Sequence, residues 1–206
     1  MPVTFDLFGT LVDAARPADP AAAVARELRE RGVSVPDDWA DAYAEPHVDA
    51  PEGAEVPLHA HVARALDSRG VSAPDNAARR AVTAAFEPDV TAGEGARAAV
   101  ERARERGPVG LLSNCSVPEL ARRSLLSADL RWLNDDRDPL FDVVVTSLSC
   151  GWRKPDRRAF EAVARQLDCE VRELTHVGDS DADAGIEAAG GRFVDVRERP
   201  LEALFR

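Results

Sequence analysis

Apolar positions recur along the chain in two rhythms. Val3, Thr4 and Phe5 form a short β-branched and aromatic run that stops on Asp6, with Gly9-Thr10 soon after. Such a run reads as a buried strand ending on a carboxylate. The next stretch is helical: Asp19-Pro20 supplies an N-cap and a first-turn proline, Val24, Leu28 and their alanine neighbours make the apolar stripe, and Gly32 stops it. Arg31-Gly32-Val33-Ser34-Val35-Pro36-Asp37-Asp38 is nearly copied by Arg69-Gly70-Val71-Ser72-Ala73-Pro74-Asp75-Asn76, after the helix carrying Val62, Ala65 and Leu66. Each copy encodes a helix stop, an extended link and a new cap, which helical hairpins commonly reuse without being repeats. Between the copies stand Pro46, Pro51, Gly53 and Pro57, too many breakers for one continuous helix. Residues 14–90 are therefore predicted to form a small all-helical insert with a loop in its middle.

From residue 91 helices and strands alternate. A helix is predicted from about Gly95 to Arg106, ending at Gly107, then a buried strand Val109-Gly110-Leu111-Leu112 that runs into Ser113-Asn114. Pro118 introduces a helix from Leu120 to Leu126, Phe141 to Val145 is a third strand, and Pro155 opens a helix with Phe160, Val163 and Leu167. Leu174 to Val177 is a fourth strand leading into Gly178-Asp179, and Arg192 to Val196 a fifth. Strands separated by helices imply parallel pairing with right-handed crossovers, so their carboxyl ends share one edge. The fold class is α/β, and Asp6, Ser113 and Asp179 are expected to converge on that edge.

With 206 residues, 45% of them apolar, the chain can build a hydrophobic core. It has no apolar run near the roughly 20 residues of a membrane span and no signal-peptide pattern, so a cytoplasmic protein is expected. Cys115, Cys150 and Cys169 lack CxxC spacing and read as buried free thiols. A net charge of -11 argues against nucleic-acid and anionic-membrane partners. Lys154 is the only lysine, and a surface otherwise of Asp, Glu and Arg suggests salt adaptation. A lysine kept in such a chain is a candidate functional residue.

Asp179-Ser180-Asp181-Ala182-Asp183 places three carboxylates within five residues after a glycine. With Asp6 that cluster would repel itself unless a cation bound, and all-oxygen ligation by a few carboxylates suits Mg²⁺. A carboxylate at a strand end can also act as a nucleophile, with Lys154 and the Ser113 hydroxyl holding phosphoryl oxygens.

The strings FDLFGTLVD, LLSN, RKPD and HVGDSDAD, in this order and spacing, resemble the four motifs of the haloacid dehalogenase (HAD) superfamily of hydrolases. The resemblance implies a Rossmann-like core, parallel sheet with helices on both faces, from residues 1–13 and 91–206, and a helical (C1-type) cap at residues 14–90. It implies Asp6 as nucleophile and metal ligand, Ser113 as the hydroxyl binding the transferred group, and Lys154 as the cation stabilising nucleophile and intermediate. Asp179 and Asp183 match the acidic GDxxxD motif as Mg²⁺ ligands, with the Phe8 backbone carbonyl completing the protein's share. Thr10 and Asn114 join Ser113 and Lys154 in the phosphate-binding set. The stretch after Asp183 is shorter than the usual pattern, which leaves Asp181 as an alternative ligand.

One departure bears on the chemistry. Phosphatases of the superfamily carry a second aspartate two residues after the nucleophile, where this chain has Phe8. An aromatic there resembles the dehalogenase branch, which lacks the metal-binding carboxylate pair kept here. The expected function is a Mg²⁺-dependent phosphatase on a small phosphorylated metabolite through an aspartyl phosphate. A metal-independent 2-haloacid dehalogenase and a non-catalytic member remain as alternatives. The partner is a small molecule, the assembly a monomer or homodimer. His59 and His61 point to different sides of a helix and make no metal pair, and Trp39, Tyr43 and His47 read as helix core.

Overall fold

The computed structural model describes residues 1–87, 89–130 and 139–205; Pro88, residues 131–138 and Arg206, which fall within the predicted units, lie outside them. Strand β1, Val3–Phe5, is buried at every position and sits at the centre of a five-stranded sheet. The other strands are β4 (Val109–Ser113), β5 (Val143–Thr146), β6 (Thr175–Gly178) and β7 (Arg192–Asp195), in the order β5-β4-β1-β6-β7. All neighbours are parallel; Thr4 lies beside Gly110 on one side and His176 on the other. This is the α/β, Rossmann-like arrangement expected from the helix–strand alternation.

Side chains alternate across the sheet and feed two cores. On one face Val3, Phe5, Leu111 and Val177 join Ala99, Val100 and Ala103 of α5 (Ala96–Arg104). On the other, Leu112 and Val145 meet Phe160 and Val163 of α8 (Arg157–Gln166) and Ile186 of α9 (Asp181–Ala188). Phe5 and Phe160 are fully buried, each stabilising the fold by roughly 1.5–3 kcal/mol. Helix α6 (Leu120–Ser127) follows β4, and the single turn α7 (Ser147–Cys150) follows β5.

Four further helices lie between residues 20 and 85: α1 (Pro20–Glu30), α2 (Trp39–Ala44), α3 (Leu58–Asp67) and α4 (Ala77–Ala85). Asp19 caps α1 through its carboxylate, which accepts from the Ala22 N–H at 2.9 Å, a contact worth about 1 kcal/mol. Trp39 is buried, its indole N–H donating to the Ala21 carbonyl at 2.9 Å, whereas Tyr43 and His47 are only half-buried.

The insert is not all-helical. Residues Val12–Ala15 (β2) and Asp89–Ala92 (β3) pair antiparallel, Val12 opposite Ala92 and Ala15 opposite Asp89, so the expected boundary at residues 90 and 91 falls inside a strand. Each strand is four residues long and β3 is largely exposed. Neither carries the period-two apolar pattern that marks a strand, and only the pairing of distant segments makes them one. Of the cysteines, Cys115 is buried and Cys150 and Cys169 are half-buried, all free.

Candidate active site

Asp6 follows the last residue of β1, Ser113 ends β4, and Asp179 follows β6, so three adjacent central strands deliver them to the same sheet edge. In open α/β sheets ligands bind in the crevice at this edge. The loop opening α8 brings Lys154 there as well. Its side chain is 2% exposed, and the ammonium donates to Asp6 Oδ1 at 2.7 Å, Asp183 Oδ1 at 2.5 Å and the Leu112 carbonyl at 2.8 Å. An ammonium has three protons, and each has an acceptor.

Asp183 is the most heavily held of the carboxylates. Besides Lys154, its Oδ1 meets His176 Nε2 at 2.9 Å, and its Oδ2 accepts from the Ser180 hydroxyl at 2.5 Å and the Ser180 N–H at 3.1 Å. A carboxylate can only accept, so His176 Nε2 carries the proton, and Nδ1 accepts from the Thr4 hydroxyl at 2.9 Å. Burial of His176 lowers its pKa, as does the Lys154 charge, and both disfavour the imidazolium.

Burial penalises ionisation of Asp183, but the His176 hydrogen bond and the Lys154 charge outweigh it and hold the carboxyl well below its usual range. Asp6 goes the other way: burial raises it against the pull of Lys154, and the Asp183 charge adds to the rise. Asp179 is also raised, by burial and by Asp183. The difference follows from donors, which converge on Asp183 from Lys154, His176 and Ser180 while Lys154 serves Asp6.

Oxygens of Asp6, Asp179 and Asp183 all lie within 4.8 Å of one another. Close packing makes this possible. Gly9 has φ +87°, and a Cβ there would stand 2.3 Å from Asp179 Oδ2; a Cβ on Gly178 would stand 2.3 Å from Asp183 Cγ. Asp181, the alternative, is exposed on the first turn of α9.

The remaining candidates are placed as follows. Ser113 and Thr10 are buried, and the hydroxyl of each has no partner among the described residues, which in a native structure asks for a ligand or water. The Asn114 amide accepts from the Lys154 N–H at 2.8 Å and donates to the Lys154 carbonyl at 2.9 Å, locking the two loops together. Phe8 lies in the turn closed by Leu11 and Val12 N–H bonds to the Leu7 carbonyl, and its side chain packs on the core. Sequence reasoning passed over Thr4 and His176; a histidine inside the apolar run before Gly178-Asp179 was the available signal.

The model of the haloacid dehalogenase-like hydrolases matches residues 3–190. "Phosphatase MT3486" of Mycobacterium tuberculosis (strain CDC 1551 / Oshkosh) is 38% identical over 99 residues, 47% of this chain and 42% of that protein, so the similarity spans less than half of its length. Among solved structures, a 2-haloacid dehalogenase from Pseudomonas syringae pv. Tomato DC3000 superposes with a TM-score of 0.60 at 20% identity, covering 94% of this chain and 85% of that one. A HAD family enzyme from Bacteroides thetaiotaomicron, in complex with magnesium and inorganic phosphate, gives a TM-score of 0.60 at 15% identity and covers 94% and 92%. At these identities the superpositions report the fold, while the family match extends from β1 through Asp179 and the helix that carries Asp183. The chain belongs to the haloacid dehalogenase-like hydrolases.

Proposed function

We propose that this hydrolase is a Mg²⁺-dependent phosphatase that acts on a small phosphorylated metabolite through a phosphorylated Asp6, with residues 14–90 serving as its cap. The observation that carries this reading is the cluster of three carboxylates within 4.8 Å, two of them, Asp6 and Asp183, bridged by one buried ammonium. The donor set fits a hard divalent cation, and a cation would reverse the upward shifts of Asp6 and Asp179 that burial and mutual repulsion cause. Asp6, Asp179, Asp183 and the Phe8 carbonyl would hold Mg²⁺, whose charge, when bound, neutralises phosphoryl oxygens. The Bacteroides thetaiotaomicron enzyme of similar fold, captured with magnesium and inorganic phosphate, supports the same reading.

Asp6 attacks phosphorus, forming an acyl phosphate while the ester P–O bond breaks and its electron pair leaves with the alcohol oxygen. Water then attacks the same phosphorus, which releases inorganic phosphate, restores the carboxylate and yields one proton to solvent. Lys154 keeps the nucleophile oriented and faces the charge that builds on the phosphoryl group, and the Ser113 and Thr10 hydroxyls donate to its oxygens. Phe8 has no proton to give, so the leaving group departs as an anion.

That same Phe8 favours a second reading, in which Asp6 displaces halide from a 2-haloacid and forms an ester without a metal. Both are tested by assaying p-nitrophenyl phosphate, acetyl phosphate and 2-chloropropionate with and without Mg²⁺, in the wild type and Asp6→Asn. Phosphate release that needs Mg²⁺ and vanishes in Asp6→Asn is expected. Full phosphatase activity in excess EDTA would refute the metal dependence, and chloride release would select the dehalogenase.

A further inference from the structure

We infer that Glu55, from the loop in the middle of the insert, is a positioning residue for the Asp6 site, one that holds the loops carrying Ser113 and Lys154; the inference rests on the hydrolase reading above.

The Glu55 side chain is 1% exposed. A carboxylate so deeply buried is costly unless donors converge on it. Two do, and both come from the core. The Ser147 hydroxyl donates to Oε2, and Arg153 Nη1 donates to Oε1 at 3.4 Å. With its proton directed to Glu55, the Ser147 oxygen turns a lone pair to the Cys115 N–H, which it accepts at 2.8 Å. Glu55 therefore orients a hydroxyl that fixes the backbone two residues beyond Ser113. On its other oxygen it grips the residue next to Lys154.

The contact is part of a wider seam. Glu55 N–H donates to the Gly151 carbonyl at 2.9 Å, Arg153 N–H to the Gly53 carbonyl at 2.8 Å, and Leu58 N–H to the Ser116 carbonyl at 3.0 Å. Ala54 and Trp152 form an antiparallel bridge between them. Asn114 closes the circuit by clasping the Lys154 main chain from the opposite loop. Beside these main-chain bonds, the Glu55 carboxylate contacts the Arg153 side chain next to Lys154 and, through Ser147, the backbone two residues beyond Ser113. Glu27, Asp38 and Glu45, by contrast, pair with Arg31 or Arg69 inside the insert.

Removal of Glu55 leaves the Ser147 hydroxyl free to rotate and the Cys115 amide weakly held, so Ser113 loses its fixed place while the substrate's other contacts persist. Groups that orient a reacting shell typically contribute 10- to 100-fold to activity. The test compares wild type, Glu55→Ala, Glu55→Gln, Ser147→Ala and the Glu55→Ala/Ser147→Ala double variant. Readouts are kcat and KM for p-nitrophenyl phosphate with Mg²⁺, the melting temperature, and hydrogen exchange of the Cys115 amide.

Glu55→Ala is expected to lower kcat at least about 10-fold with KM within about 3-fold, and to speed Cys115 exchange. Gln, which can still accept from Ser147, should recover most of both. Ser147→Ala, which keeps the Arg153 contact, should also lower kcat and speed Cys115 exchange, and the double variant should fall short of the product of the two single losses. Unchanged kcat and exchange in a folded Glu55→Ala protein would overturn the inference, as would a double variant whose losses simply multiply. If Glu55→Ala does not fold, Ser147→Ala and Glu55→Gln decide it: the first must lose kcat at a wild-type melting temperature and the second retain it. Should the wild type cleave no phosphate ester, the phosphatase reading falls alone, because Cys115 exchange still reports whether Glu55 holds the loop.

Discussion

Replacing Lys154 with methionine keeps the length of the side chain and removes its charge. In the structure the ammonium lies 2.7 Å from Asp6 and 2.5 Å from Asp183, so the variant leaves two carboxylates facing each other in a buried site. At the 4.8 Å limit on their separation, each like-charged pair repels by about 3.5 kcal/mol if the effective dielectric constant is near 20. This agrees with the roughly 3–5 kcal/mol lost when one partner of a buried ion pair is deleted. Asp6, already pushed up by burial, takes a proton sooner than Asp183, which limits the loss. At about 2–4 °C per kcal/mol for a chain of this size, the melting temperature should fall by about 6 to 20 °C in Mg²⁺-free buffer. Millimolar Mg²⁺ should restore more of it in the variant than it adds to the wild type, because the exposed repulsion is what a cation relieves. Turnover of p-nitrophenyl phosphate should drop at least about 10³-fold, and Lys154→Arg should rescue little, since a planar guanidinium cannot place three protons on three converging acceptors. Calorimetry with and without Mg²⁺, followed by steady-state kinetics, checks each step. A methionine variant that melts within about 2 °C of wild type and turns over normally would refute the electrostatic reasoning.

Phe8→Asp should raise kcat/KM for simple alkyl phosphates more than for p-nitrophenyl phosphate, because acid assistance of about 10²- to 10⁴-fold matters most for basic leaving groups. Equal alkyl and aryl rates in the wild type would mean that an acid comes from elsewhere. Gly9→Ala must fit a Cβ 2.3 Å from Asp179 Oδ2 at a φ of +87°, so Mg²⁺-dependent activity should fall at least about 10-fold with a stability loss of about 1–2 kcal/mol. A wild-type rate in that variant would show that Asp179 is not needed where it stands. For a chain of net charge -11, molar KCl should raise the melting temperature by screening surface carboxylates over roughly 3 Å, and a fall with added KCl would count against salt adaptation.

Local rhythm and local chemistry were enough to read much of this protein from its sequence. The buried run Val3–Phe5, the Asp19-Pro20 helix start, the strand before Ser113-Asn114 and the glycine before Asp179 depend on neighbours a few residues away. Each appears where its pattern places it. The family motifs were equally legible, because their spacing encodes which strand ends share an edge. Tertiary structure alone decided the rest. It paired Val12–Ala15 with Asp89–Ala92, set Lys154 against Asp6 across 148 residues, and joined Glu55 to Ser147 across 92. It also turned Asp183 inward and left Asp181 in solvent, and it made His176, an unmarked member of an apolar run, the partner of Thr4 and Asp183. Such contacts join groups distant in sequence whose worth depends on burial: a carboxylate that is one of many on the surface becomes, once water is removed, a group that must find its donors, and no local pattern records which donors the fold will bring.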